Sequence, residues 1–192
     1  MPSTLNAFGL EPIYHPSGQV RPQVFADGIP ASYSSAIYQN QPVLLSSVGN
    51  INVVANTSSD FIGSFAGVFY IPPSGGRPVV SNQWVSGTSY TAGTMNASVY
   101  TDPNIIYRIQ SSGSLAQTAI GDQGYFANTG SGDATVGISQ ATINSTLAGA
   151  AVQGQLRIVA LDPTSDNAWG DSFTTVQVQI ARHQYVAVKT AI

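Results

Sequence analysis

Cysteine is missing from all 192 residues, which excludes disulfides and thiolate metal sites together. Charge is scarce as well: Asp, Glu, Lys and Arg make up 8% of the chain, against about 25% in ordinary soluble proteins. The six basic residues are spread singly along a chain of net charge −3, so no stripe exists that could follow a phosphate backbone and no nucleic-acid partner is expected. Glutamate occurs once, as Glu11, and histidine twice, as His15 and His183. The longest apolar run, near 65–71, is far shorter than the roughly 20 residues of a spanning helix, so no membrane partner is expected. The start, "MPSTLNAFGLEPIYHPSGQV", shows neither the basic stretch nor the continuous apolar stretch of a secretory leader.

What is present is 43% hydrophobic residues set among Ser, Thr, Asn, Gln and Gly. The apolar positions recur with period two. In "TTVQVQI", Thr174, Val176, Val178 and Ile180 share one face; "NIIYRIQ" does the same with Ile105, Tyr107 and Ile109, and "QLRIVAL" with Leu156, Ile158 and Ala160. Further strands are predicted at 42–45, 51–55, 61–71, 97–101 and 123–128, separated by turns such as "SVGN", "SSGS" and "NTGSGD". The pattern predicts an all-β fold, a compact β-barrel or β-sandwich with long loops. Only 138–153 leaves helix and loop equally open. Prolines at 2, 12, 16, 22 and 30 predict an extended arm over residues 1–30, ahead of a single β-rich domain over 31–192. Phe8, Leu10, Ile13, Tyr14, Val20, Val24 and Phe25 give that arm more apolar surface than a strandless tail can bury, so it is expected to lie on another subunit.

No catalytic set emerges. Asp162, Asp166, Asn167 and Asp171 suggest an oxygen-ligand loop, but their spacing does not match a calcium hand, and Asx turns explain them as well. Two isolated histidines cannot make a zinc site, and both are read as packing or surface residues. No serine elbow or phosphate loop is present, and Asp60, Asp102, Asp122 and Asp133 offer no distinguishable pair for glycoside hydrolysis. Trp84 and Trp169 with Tyr38, Tyr70, Tyr90, Tyr100 and Tyr107 could form a sugar platform, but core or interface anchors are the plainer reading. Trp169 is expected to cover a sheet end or an intersubunit seam while its indole N–H finds an acceptor. No catalytic residue, cofactor or metal ligand is assigned, and His183 is expected to matter little.

The segments "AFGLEPIYHPSGQVRP", "QPVLL", "FIGSFAGVFY", "YTDPNIIYRIQSSGSLAQTAIGDQGYF" and "DNAWGDSFTTVQVQIARHQY", in this order, resemble a family of tailed-bacteriophage head proteins of the cement or decoration type. The resemblance implies a non-enzymatic virion protein, made in the host bacterial cytoplasm and placed on the capsid surface. Its implied partners are the major capsid protein and further copies of itself, trimers ahead of dimers. Two other readings are kept: a carbohydrate-binding fibre or spike module for host attachment and, behind it, a small hydrolase.

Overall fold

The computed structural model describes residues 4–56, 60–73, 75–149 and 151–186. The strands run β1 (Glu11–Tyr14), β2 (Gln23–Ala26), β3 (Pro42–Leu45), β4 (Ile51–Val53), β5 (Gly63–Tyr70), β6 (Val79–Ser81), β7 (Asn96–Tyr100) and β8 (Ile106–Gln110). They continue as β9 (Gln123–Gly124), β10 (Phe126–Ala127), β11 (Gly132–Asp133), β12 (Ile138–Ser139), β13 (Thr142–Ile143), β14 (Leu156–Leu161) and β15 (Thr175–Ile180). Strand accounts for 36% of the structure and helix for 2%, so the fold is all-β. A five-stranded antiparallel sheet has the order β1-β8-β15-β14-β9. A six-stranded one has the order β2-β7-β5-β3-β4, with β6 paired to the second half of β5. Neither sheet closes into a barrel.

Each sheet carries its own apolar cluster. Tyr107 and Ile109 of β8, Val176 and Val178 of β15, and Leu156 and Ile158 of β14 form the inner rows of the five-stranded sheet. Leu10, Phe61, Leu115, Phe126 and Ile143 cover them, with the Phe61 and Phe126 rings edge to face at 5.1 Å. Under the six-stranded sheet, Val43, Phe65, Ala97 and Val99 meet Ile29, Ile37, Ile62, Met95 and Trp84. The fully buried Trp84 stands edge-on to Tyr70 and Tyr90, at 5.8 and 6.0 Å. Each large side chain so buried stabilises the fold by about 1.5–3 kcal/mol.

Period two placed Ile105, Tyr107, Ile109, Val176, Val178, Leu156 and Ile158 inside, and all are buried. Ala160 departs from that pattern. A bulge between Ile158 and Ala160 pairs Ala160 with the outward Gln177 and returns Leu161 to Val176, so the inner face changes parity. The stretch 123–128 divides at Tyr125 into β9 and β10, which belong to different sheets. Residues 138–153 hold β12, β13 and turns but no helix among the described positions, because Thr142 and Ile143 pair with Ala127 and Phe126.

The outreaching arm expected over 1–30 is instead stitched to the body; residues 1–3 lie outside the described ones. β1 pairs with β8 and β2 with β7. The prolines determine where these strands sit: Pro12 occupies an edge strand, where a missing N–H costs no ladder bond. Further ties are Leu10 N to Asn40 O at 2.7 Å, the Asn40 amide to Phe8 O at 3.1 Å, and Asn6 N to Gln110 Oε1 at 2.9 Å. Leu10 and Ile29 sit one in each core, so the segment is not separable from the domain.

Candidate functional site

The chain after β15 laces the two sheets together. Phe61 N donates to Arg182 O at 3.3 Å, and Gln184 N donates to Phe61 O at 3.0 Å. The Gln184 side chain treats β3 as a neighbouring strand would: its Oε1 accepts from Leu45 N at 2.8 Å and its Nε2 donates to Leu45 O at 2.9 Å. Arg182 Nε donates to Asp60 at 2.6 Å. His183 is buried, with Nδ1 accepting from Tyr185 N at 3.1 Å and Nε2 2.9 Å from Thr101 O. That pairing fixes a neutral ring protonated on Nε2, and burial holds its pKa below the ordinary histidine value. The expectation that His183 matters little is therefore corrected: both ring nitrogens are committed at a seam between the sheets.

Beside this seam lies a cavity of about 190 Å³ lined by Asp60, Pro103, Asn104, Gln153, Arg157, Gln179, Ile180, Ala181, Arg182, His183 and Val186. Arg157 and Gln179 are direct partners on β14 and β15 and face away from the core. With described residues the Arg157 guanidinium makes no hydrogen bond or ion pair, and Arg182 bonds them only through Nε. Arg108, by contrast, has two carboxylates and a ring around it: its Nε donates to Glu11 at 2.7 Å, its Nη1 lies 3.9 Å from Asp162, and its guanidinium stands 5.2 Å over the Phe8 ring. The hydrogen bond that Arg108 donates to the Glu11 carboxylate raises the Arg108 pKa.

The outer face of the six-stranded sheet is the second feature. Register places Val24, Ser98 and Gly67 in one row and Asn96, Phe69 and Val80 in the next. With Pro22, Ala66, Ser81 and Asn82 they border a trough of about 540 Å³ that contains no charged side chain. Val80 is 82% exposed and Val24 58%. Gly67 keeps the trough open: its φ is +153°, and a Cβ there would lie 2.9 Å from Ser81 O.

Of the interface candidates, Tyr14 and Val24 are exposed. Phe8 and Ile13 are half-buried; Val20 and Trp169 pack against the five-stranded core and Phe25 against the other. Leu10 is wholly buried and is unavailable to a partner. The Trp169 indole N–H, expected to find an acceptor, bonds no described residue; the buried indole N–H without a partner is that of Trp84. Sequence reasoning missed Arg157 and Val80; the adjacent Arg182 and His183 are visible in "QIARHQY" as a dyad-like pair, but read there as part of a loop and strand without catalytic apparatus. The outward phase of Arg157 in "QLRIVAL" was a usable signal, but nothing local marked Val80.

Most of the remaining chemistry candidates are in structural use. Asn167 clamps the Asp162 turn to β15, donating to Asp162 O and Thr175 O and accepting from Thr175 N, at 2.8, 2.8 and 2.9 Å. Asp171 accepts from Ala168 N and Asp133 from Thr135 N, each at 2.8 Å. Asp102 accepts from Asn104 N at 2.8 Å and lies 3.3 Å from His15 Nε2; the Asn104 bond first, then His15, lowers its pKa. No group of three or more metal-ligating side chains forms among the described residues. None of the seven rings considered for a sugar platform is exposed. No described helix is long and apolar enough to cross a membrane. Comparison with family models, curated proteins and solved structures gives no match to this chain.

Proposed function

We propose that this protein is a tailed-bacteriophage head decoration protein that binds the outer surface of the major capsid shell and clamps neighbouring subunits without covalent bonds. The observation that carries this reading is the uncharged outer face of the six-stranded sheet, with Val24, Phe69 and Val80 beside the Gly67 trough. Exposed apolar surface rimmed by polar residues is what a protein partner covers, and such contacts gain affinity by removing that surface from water. Asn96 and Ser98 supply hydrogen bonds within the same face without the desolvation cost of a charge. The resemblance of the five segments to cement proteins supplies the partner. A clamp that binds only the expanded shell stabilises it by mass action. Trimers are favoured, with dimers second.

The test is sedimentation of the purified protein with shells of the major capsid protein encoded beside it, before and after expansion. The expected result is saturable binding at a fixed copy number to expanded shells only. Absence of binding to either form overturns the reading. Binding that never saturates does so as well, because a decoration site recurs a fixed number of times on the shell.

A further inference from the structure

Arginine is rare here, and its pairing is uneven. Of the five arginines, Arg108 is neutralised by Glu11 and stacked on Phe8, whereas Arg157 has no described partner and neither terminal amino group of Arg182 bonds a described residue. These last two line one cavity. A chain with so few cations that leaves two guanidinium groups facing one space has a local positive field there despite its net charge of −3.

We propose that the cavity lined by Arg157, Arg182, Gln179 and Asn104 is a binding site for a single carboxylate group. Charge complementarity decides the class of ligand. The two arginines and Asp60 leave the cavity one net positive charge, which one carboxylate neutralises, whereas a phosphate dianion overshoots it. Asp60 also fixes the Arg182 plane through Nε, so that the remaining fork is held before a ligand arrives. The Asn104 amide and the Gln179 amide, which gives one N–H to Pro103 O at 3.3 Å and keeps a second, line the cavity with the fork, and Val186 lines it with an apolar side chain for the carbon chain of the ligand. The volume, about 190 Å³, holds one small group: a cavity of about 150 Å³ accepts benzene. An acidic side chain on a docking protein and a free small acid both present this chemistry. The cavity shares no lining residue with the uncharged trough, so the assignment does not depend on capsid binding.

The test is titration of the intact protein with N-acetyl-glutamate methylamide, following the arginine Nε–H resonances by NMR. The Arg157 and Arg182 signals are expected to shift saturably, and the neutral glutamine analogue is expected to leave them in place. Inorganic phosphate at matched ionic strength is expected to bind about tenfold more weakly or worse. Arg157→Gln, at an exposed strand position, should keep the fold and weaken binding at least about tenfold, while Arg21→Gln should leave it unchanged. Acetate separates the two sources: equal affinity assigns the site to free acids, and several-fold tighter binding of the peptide analogue assigns it to a protein side chain. No saturable shift, an equal response to the glutamine analogue, stronger phosphate binding, or full affinity in Arg157→Gln overturns the proposal.

Discussion

The two large sheets bury similar inner rows and turn dissimilar outer rows to solvent. On the five-stranded sheet the outward positions run Glu11, Arg108 and Gln177 across one row, then Ile106, Gln179 and Arg157 across the next. On the six-stranded sheet the corresponding rows are Val24, Ser98 and Gly67, then Asn96, Phe69 and Val80. On the five-stranded face the first row pairs Arg108 with Glu11 while the second leaves Arg157 without a described partner; the two rows of the other face carry no charge to pair and set two valines in water. Stability and recognition are thereby divided: substitutions between the sheets should act on folding, and substitutions on the bare face should act on binding. The residues 181–186 that join the sheets should couple both halves into one cooperative unit.

The strongest challenge to that division is Gly63→Ala. Its φ is +149°, and a Cβ would fall 1.6 Å from Tyr100 O, so β5 and β7 could not pair as they do. We expect a loss on the order of 4 kcal/mol or more, read as absence of a cooperative transition in urea, whereas Gly130→Ala, with open space around it, should be nearly silent. Next come the tryptophans. Trp84→Ala should cost about 3–5 kcal/mol, and the half-buried Trp169→Ala about 1–2 kcal/mol; equal costs would show that the Trp169 ring is buried as fully as that of Trp84. The sequence alone, read with Trp169 as a buried ring, predicts about 3–5 kcal/mol there; its partial exposure lowers that cost.

His183→Ala at the seam should cost about 1–3 kcal/mol, because it strands Thr101 O and Tyr185 N. It should also change the pH dependence. The folded-state pKa is depressed, so the unfolded chain binds the proton more readily: the contribution is complete above the unfolded value, about 6.5, and is lost as pH falls through the folded value. Denaturant midpoints measured between about pH 7 and 5 should show this slope in the native protein and lose it in His183→Ala. Smallest in stability is Val80→Lys, expected within about 0.5 kcal/mol of the native protein, yet it should abolish binding to expanded shells. Unchanged shell binding would sink the assignment of this face, while destabilisation would show that Val80 packs in the fold.

Sequence periodicity was strong where a strand has one buried and one solvated face over several residues, as in 105–110 and 174–180. It failed where long-range pairing completes what local pattern does not show. Residues 11–14 and 23–26 lie among the prolines at 12, 16, 22 and 30 and show too little alternation to announce themselves; they are strands because β8 and β7 offer free edges. β12 and β13 are two residues each and exist only against their partners. The site was less legible still. Asx turns at Asp102, Asp133 and Asn144 follow from local chemistry, but Arg157 and Arg182 are 25 residues apart and become neighbours only through the β14–β15 pairing and the turn after it.

By itself, then, the sequence determined the all-β character and the inner rows of the longer strands, because alternation is a property of neighbouring residues and needs no partner. It also ruled out thiolate chemistry, because that is a matter of composition. Only the tertiary structure decided that the N-terminal segment belongs to the body, that His183 and Gln184 lace the sheets together, and that two arginines share a cavity. It likewise set an uncharged face around Gly67. Each of these rests on contacts between residues distant in the chain, whose free energy depends on register and approach distance and leaves no local trace.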